Sequence, residues 1–549
     1  MFKYYFEYEC GGRILTSRAQ KNAAFDIVSS YENGRLTVDL CPKEKISFKT
    51  FKITFDYDFK SSSKIFVNGY QSWTDSREYA VNEKMDLLNI VNEFALKTSI
   101  NKNTGLGRSG DLFFCKHPKN PGEFYGYSYG YVRLGSCVDL FASLSERSGY
   151  TIIRFDVNNK KITVEKDLQG VEYSAKETVV DFVNIKGEYD KVFDRWFELM
   201  HIECRQKERM CGYTTWYNYY GNINEEIVER DLNSISKLDD KIDIFQIDDG
   251  YQKAIGDWLN TNVARFPNSM KHTADLIHGY NMKAGLWLAP FGATKQSFIY
   301  KEHPDWLVKD ENGKPVLAGA NWGRFYAVDF LNDEAAKYIR HVFDVVLNQW
   351  GFDMVKLDFL YAACITPRNN KSRGQLMCEA MDFIRDCVGD KLILGCGVPL
   401  MPAFGKVDFC RVGADVCLDW RFNKMGVRED VSTANTVNCT VFRRGLNGRG
   451  FMNDPDVFLL RDENTKLTFE QRKLLAQINS VFGSLLFVSD NVANYNELQK
   501  QAFSNAVCKK DIKIESAEIV EKDVISAVYY ENGVKHQMKF NYKNGKSYI

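Results

Sequence analysis

Between residues 187 and 508 short apolar runs of strand length alternate with longer stretches of amphipathic, helical period. The runs cover residues 212–217, 242–247, 283–288, 354–358, 392–397, 407–412, a stretch near 450–452, and 485–489. Strands separated by helices pair in parallel through right-handed crossovers, and eight of them are what a closed barrel requires. The helices carry their own signals. Val228, Leu232 and Ile235 fall at i, i+4 and i+7, one face of a helix. Thr468 and Gln471 predict a capping box for a helix reaching Phe482. Asn332-Asp333-Glu334 opens another that runs to Trp350, with acidic residues in its first turn.

The flanks have a different texture. Residues 1–186 alternate apolar and polar positions in short runs broken by turn signals. Asn33-Gly34 lies between two such runs and predicts a hairpin over 25–40. The one helical period in this part lies near 85–96. Residues 509–549 return to the strand pattern, with a second Asn-Gly turn at Asn532. The expected fold is multidomain α/β: an N-terminal β-sandwich over 1–186, a central (β/α)8 TIM barrel over 187–508, and a small C-terminal β-domain over 509–549.

Composition narrows the chemistry. Seventy-two basic residues balance 72 acidic ones, which gives no electrostatic reason to expect nucleic acid or an anionic membrane as partner. Fourteen cysteines are scattered without CxxC spacing and read as reduced thiols, and seven dispersed histidines argue against His-centred metal chemistry. The start, MFKYYFEYECGG, carries no basic region followed by an apolar run, and no uncharged apolar stretch reaches 18 residues. A cytoplasmic protein is the expectation. Carboxylates are the candidate reactive groups.

The active site of such a barrel lies at the C-terminal ends of its strands. There the second run ends in Asp248-Asp249, the third in Trp287, the fourth in Lys356-Leu357-Asp358, the fifth in Cys396, and the sixth in Arg411 followed by Asp415. Lys356 and Asp358 are two apart on a strand and point to the same side, so the ammonium favours an ionised, nucleophilic carboxylate. A partly desolvated carboxyl at Asp415 suits a proton donor. Glycosidic cleavage uses two carboxyl groups with those opposed requirements. A lone strand-end aspartate is more often a cap or a turn residue, and joint placement on successive strands is what raises these. Residues alone leave glycosidic cleavage and a divalent-metal site on Asp248, Asp249 and Asp358 both open.

The segments FQIDDGYQ, GDWLNTNVARFP, GLWLAPF, VKLDFLYAA, RVGADV, MNDPDVFLLR and LLFVSDN, with NGYQSWT at 68–74, resemble glycoside hydrolase family 36, the microbial α-galactosidases and α-N-acetylgalactosaminidases. The resemblance implies a retaining, exo-acting glycosidase that removes terminal α-linked galactose, with Asp358 as nucleophile and Asp415 as acid/base. It implies that Asp248 and Asp249 accept hydrogen bonds from the 4- and 6-hydroxyls, and that Lys356 and Arg411 hold hydroxyls and carboxylates. Trp287 forms the wall under the ring, Trp216 and Trp258 complete the rim, and Arg324 matches a sugar-contacting arginine. Trp73 is expected either over the barrel mouth or at a domain interface. The segment Gly395-Cys396-Gly397-Val398-Pro399-Leu400 is shorter than the glycine loop of the large members. Because that region meets the 2-substituent, α-N-acetylgalactosaminidase activity is the alternative. The resemblance also implies a small-molecule carbohydrate as partner and no metal or other cofactor, because the flanking carboxylates stabilise the oxocarbenium-like transition state; non-catalytic sugar binding and metal-dependent catalysis are the rival classes.

Overall fold

The structure is a computed structural model and describes residues 2–87, 97–98, 103–420 and 428–548. Most of the helical period near 85–96 therefore lies outside the described residues. The N-terminal part forms two seven-stranded sheets in which every pairing is antiparallel. Alternation along the strands buries one face of each sheet, and aromatic rings meet between them, as Phe6 with Phe25 (5.3 Å) and Phe141 with Phe155 (6.0 Å). The Asn33-Gly34 hairpin joins Phe25–Glu32 to Arg35–Pro42. Both turn residues have positive φ, 50° and 81°, as a two-residue turn matched to strand twist demands.

A nine-membered parallel sheet follows, in the order Met452–Asp454, Phe409–Arg411, Leu392–Gly395, Met354–Leu357, Lys283–Leu288, Ile244–Ile247, Met210–Thr214, Leu485–Val488, Val457–Phe458. Its two ends are consecutive pieces of one extended run, interrupted by Pro455-Asp456, so the path begins and ends on the same stretch of chain. Proline has no N–H to give a ladder, and Asp456 has φ 71°, which accounts for the interruption. The seventh run thus sits a few residues later than its apolar pattern indicates. The first strand stops at Thr214, before its predicted end, because Trp216 already starts a short helical turn.

The helices between the strands follow their signals. Glu225–Ile235 buries Val228, Leu232 and Ile235, and Thr468 and Gln471 make the capping box of Phe469–Phe482. Asn332 caps Asp333–Asp344, which widens into a π-turn over Val345–Gln349 before Trp350. An unforeseen three-stranded sheet, Gly292–Thr294, Leu317–Gly319 and Phe325–Ala327, rises beyond the Lys283–Leu288 strand. Ile512–Glu521, Val524–Glu531, Val534–Asn541 and Lys546–Tyr548 form a four-stranded antiparallel sheet. It is tied to the rest by Arg133 to Glu518 (2.7 Å) and by Trp420 Nε1 donating to the carbonyl of Tyr542 (2.8 Å). Among the described residues no helix is long and apolar enough to cross a membrane.

Candidate active site

At the C-terminal ends of the parallel strands lies a cavity of about 480 Å³. Of the residues singled out in the sequence, Trp73, Trp216, Asp248, Asp249, Trp287, Lys356, Asp358 and Asp415 line it. Asp358 leaves its strand with a carboxylate that accepts from Trp287 Nε1 (3.2 Å) and from the backbone N–H of Phe359 (2.9 Å). It keeps part of its surface open to the cavity while lying deep in the protein. Burial pushes its proton affinity above the usual carboxylate range; Lys356 pulls the other way and Asp415 adds to the rise.

Lys356 makes its close contact elsewhere than i,i+2 spacing implies. Its Nζ pairs with Asp248 Oδ2 at 2.7 Å, and both side chains are almost fully buried. That contact crosses the intervening Lys283–Leu288 strand, which is possible only because the sheet curls and turns alternate strands inward. Burial disfavours the ammonium, but the carboxylates of Asp248 and Asp358 more than offset it, so Lys356 stays charged. Asp249 is held by Gln252 Nε2 (2.6 Å) and by Trp322 Nε1 (2.8 Å), and burial raises its proton affinity.

Arg411 lies under the cavity rather than in its wall, with one nitrogen for each of three carboxylates. Nη1 meets Asp415 (2.8 Å), Nε meets Asp454 (3.2 Å) and Nη2 meets Asp456 (2.6 Å). The Asp415 side chain is 37% exposed, well beyond the 0% and 1% of the other two. Cys396 is buried, and its Sγ accepts Trp73 Nε1 at 3.3 Å.

Trp73 comes from the N-terminal sheets, and its loop is anchored firmly. The buried guanidinium of Arg443 donates to Asn68 Oδ1 (2.9 Å) and to the carbonyls of Ser72 (2.6 Å), Gln71 (3.1 Å) and Val412 (2.8 Å). Gly397, at φ 58°, permits the approach: a Cβ there would lie 2.9 Å from the Trp73 ring. Both expectations for Trp73 therefore describe one residue, an interface side chain that also lines the cavity.

Besides Arg411 and Cys396, two more of the predicted residues are absent from the cavity wall. Trp258 is 1% exposed and packs edge-on behind Trp287 (5.7 Å) instead of forming a rim. Arg324 points outward, its guanidinium donating to the carbonyls of Gly323 (3.3 Å) and Asn103 (3.0 Å). Close by, Trp322 takes the wall position, meeting Trp287 (5.9 Å) and Phe359 (4.9 Å) edge-on. Its backbone is left-handed (φ 53°), a conformation a bulky residue adopts only when its surroundings enforce it.

Sequence reasoning missed Trp322, Tyr361, Glu429 and Asp430, which also line the cavity. Glu429 accepts from Thr74 Oγ1 (2.8 Å), and burial, with Asp111 adding to it, pushes its carboxyl up to about 7. Trp322 and Tyr361 stand on short 3-10 turns, Tyr361 three residues past Asp358 in the segment VKLDFLYAA, and Glu429 and Asp430 stand on a loop; none has strand-end periodicity. The one available signal was the second aromatic-and-glycine cluster, Asn321-Trp322-Gly323, beside the arginine that drew attention.

The melibiase family model matches residues 184–377. Alpha-galactosidase Mel36A of Lactobacillus acidophilus is 30% identical over 205 residues, 35% of this chain and 27% of that protein. An A type blood alpha-D-galactosamine galactosaminidase of Flavonifractor plautii is 31% identical over 148 residues, 25% of this chain and 14% of that one. The matched segments thus span no more than about a quarter of these relatives' length. In fold the likeness extends over nearly the whole chain. An α-galactosidase of Thermus thermophilus, solved with p-nitrophenyl α-D-galactopyranoside, superposes with a TM-score of 0.71 at 23% identity, over 97% of this chain and 98% of that one. The family 36 α-galactosidase AgaA of Geobacillus stearothermophilus, solved with raffinose, gives 0.63 at 13% identity, over 98% and 78%. Residues 184–377 match the melibiase family model, and in fold the chain as a whole resembles α-galactosidases of glycoside hydrolase family 36.

Proposed function

We propose that this chain is a retaining, exo-acting α-galactosidase that removes terminal non-reducing α-linked galactose from oligosaccharides. The observation that carries the reading is the meeting of Asp358 and Asp415 in one cavity with Asp248, Asp249 and Trp287. The Asp358 carboxylate attacks the anomeric carbon as the bond to the leaving oxygen breaks, and the Asp415 proton passes to that oxygen. Water then attacks the same carbon, gives its proton to Asp415, and releases Asp358, so configuration is retained. Trp287 presents an apolar face to the sugar ring, while Asp248 and Asp249 accept hydrogen bonds from its hydroxyls. The strands carrying these groups form a closed (β/α)8 barrel over 187–508, between a β-sandwich over 1–186 and a β-domain over 509–549.

Galactose is favoured over N-acetylgalactosamine by what stands beside Cys396. The Trp73 indole lines the cavity there and gives its N–H to Sγ at 3.3 Å, so that donor is engaged and its ring stands where a 2-acetamido group would point. Metal-dependent catalysis on the same aspartates is disfavoured because Asp248 is committed to a buried ammonium at 2.7 Å.

The test is release of p-nitrophenol from the α-galactoside and the α-N-acetylgalactosaminide, with and without EDTA. Turnover of the galactoside that EDTA leaves unchanged is expected, with the acetamido substrate slower by roughly 100-fold or more for want of space and a donor. A faster acetamido substrate overturns the sugar assignment, and loss of activity in EDTA reinstates the metal.

A further inference from the structure

We propose that Asp456 is a positioning residue for proton transfer: it sets the orientation and charge balance of Asp415 without touching the substrate. The inference rests on the reading of Asp415 as acid/base. Asp456 grips the loop that bears Asp415 from two sides. Its Oδ1 lies 2.6 Å from Arg411 Nη2, the guanidinium whose other end holds Asp415. Its Oδ2 accepts the backbone N–H of Val416, the residue after Asp415, at 2.7 Å. The same oxygen accepts the hydroxyl of Tyr217, next in sequence to the cavity-lining Trp216. Asp456 therefore couples the loop after the first strand to the loop after the sixth. The Tyr217 contact spans the Leu485–Val488 strand between them.

The backbone supports a dedicated role. Asp456 holds φ 71° at the break between Met452–Asp454 and Val457–Phe458, and its N–H is fixed by Asp454 Oδ1 at 2.8 Å. Aspartate tolerates this left-handed conformation better than most residues, and here the surrounding contacts hold it at the break in the sheet. A buried carboxylate needs a partner, but Arg411 alone would satisfy one.

The charge arithmetic gives the arrangement a use. An arginine paired with a single carboxylate holds it ionised, the wrong state for a proton donor. Here the Arg411 guanidinium is divided among Asp415, Asp454 and Asp456. The titratable groups facing Asp456 are Arg411, Asp454 and Tyr217, with Asp415 across the guanidinium. Burial, with Asp415 and Asp454 adding to it and Arg411 pulling the other way, raises the proton affinity of Asp456 itself.

The test compares kcat/KM of Asp456→Asn, Tyr217→Phe and Asp415→Asn on p-nitrophenyl and methyl α-galactosides. The nitrophenolate leaves without a proton, whereas methoxide needs one. General-acid help is worth about 10²- to 10⁴-fold, so Asp456→Asn is expected to lose roughly 10-fold or more beyond its loss on the nitrophenyl substrate. Neutralising Asp456 leaves Arg411 to Asp415 and Asp454 alone, which strengthens its hold on an ionised Asp415, so the alkaline limb of the pH profile moves to lower pH. Tyr217→Phe moves both readouts the same way to a smaller extent, and it decides the matter should Asp456→Asn not fold. Equal losses on both substrates with an unmoved limb, while Asp415→Asn discriminates, would make Asp456 merely structural and overturn the proposal. An Asp415→Asn variant that fails to discriminate overturns the acid/base reading and this proposal with it.

Discussion

Asp358→Ala is expected to lose turnover of p-nitrophenyl α-galactoside by roughly 10³-fold or more, the scale on which a nucleophile's removal is felt, without losing the fold. Burial raises the proton affinity of Asp358 in the folded protein. A carboxyl whose folded pKa exceeds its unfolded one favours the folded state most at low pH and loses that contribution as pH rises through the folded pKa. Where it is ionised, the carboxylate therefore lowers stability, and alanine relieves it. The thermal midpoint of the variant at neutral pH should be no lower than that of the parent, with the comparison turning toward the parent as pH falls. Inactivity with a lowered midpoint at pH 7 would point to unfolding instead of a missing nucleophile.

Asp248→Asn is expected to damage both stability and activity. It leaves the Lys356 ammonium, 7% exposed, without its 2.7 Å partner. Stranding a buried charge in this way costs about 3–5 kcal/mol, whereas replacing both members by neutral groups of similar volume is often tolerated. The double variant Asp248→Asn/Lys356→Met should therefore recover much of the lost thermal midpoint while remaining inactive, since the charged acceptor for the sugar hydroxyl and the Lys356 ammonium are both gone. Additive losses of stability in the double variant would show that the two side chains do not depend on each other.

Much of what was legible in the sequence sits at strand ends, where a period of two relates the sides of neighbouring residues. That rule gave Lys356 and Asp358 a common side, and Asp248 and Trp287 were singled out as the ends of their strands. What the rule could not give was the partner. Same-side spacing suggested Lys356 beside Asp358, but sheet curl turns the lysine across an intervening strand to Asp248. Asp454 and Asp456 stood in a segment noticed as MNDPDVFLLR, yet its apolar pattern marked it only as a strand. The contacts to Arg411 and Val416 depend on how that strand breaks at Pro455. Trp322 and Glu429 were illegible for a different reason: their loops have no periodicity, and tertiary packing alone decides how far they reach. Arg324 illustrates the converse. Its motif neighbourhood was recognisable, but a side chain with several rotatable bonds follows the local backbone, here turned outward at φ 108°.

Incubation with a slow fluorinated galactosyl donor, followed by peptide mapping by mass spectrometry, tests the proposed chemistry most directly. Fluorine beside the reaction centre destabilises the oxocarbenium-like transition states, and a good leaving group still allows the first step, so the glycosyl-enzyme accumulates. One fluorogalactosyl group on the peptide containing Asp358, absent from Asp358→Ala, is the expected result. A label carried by Asp248, Asp249 or Asp415, or hydrolysis with inverted configuration and no label at all, would contradict a retaining mechanism through Asp358.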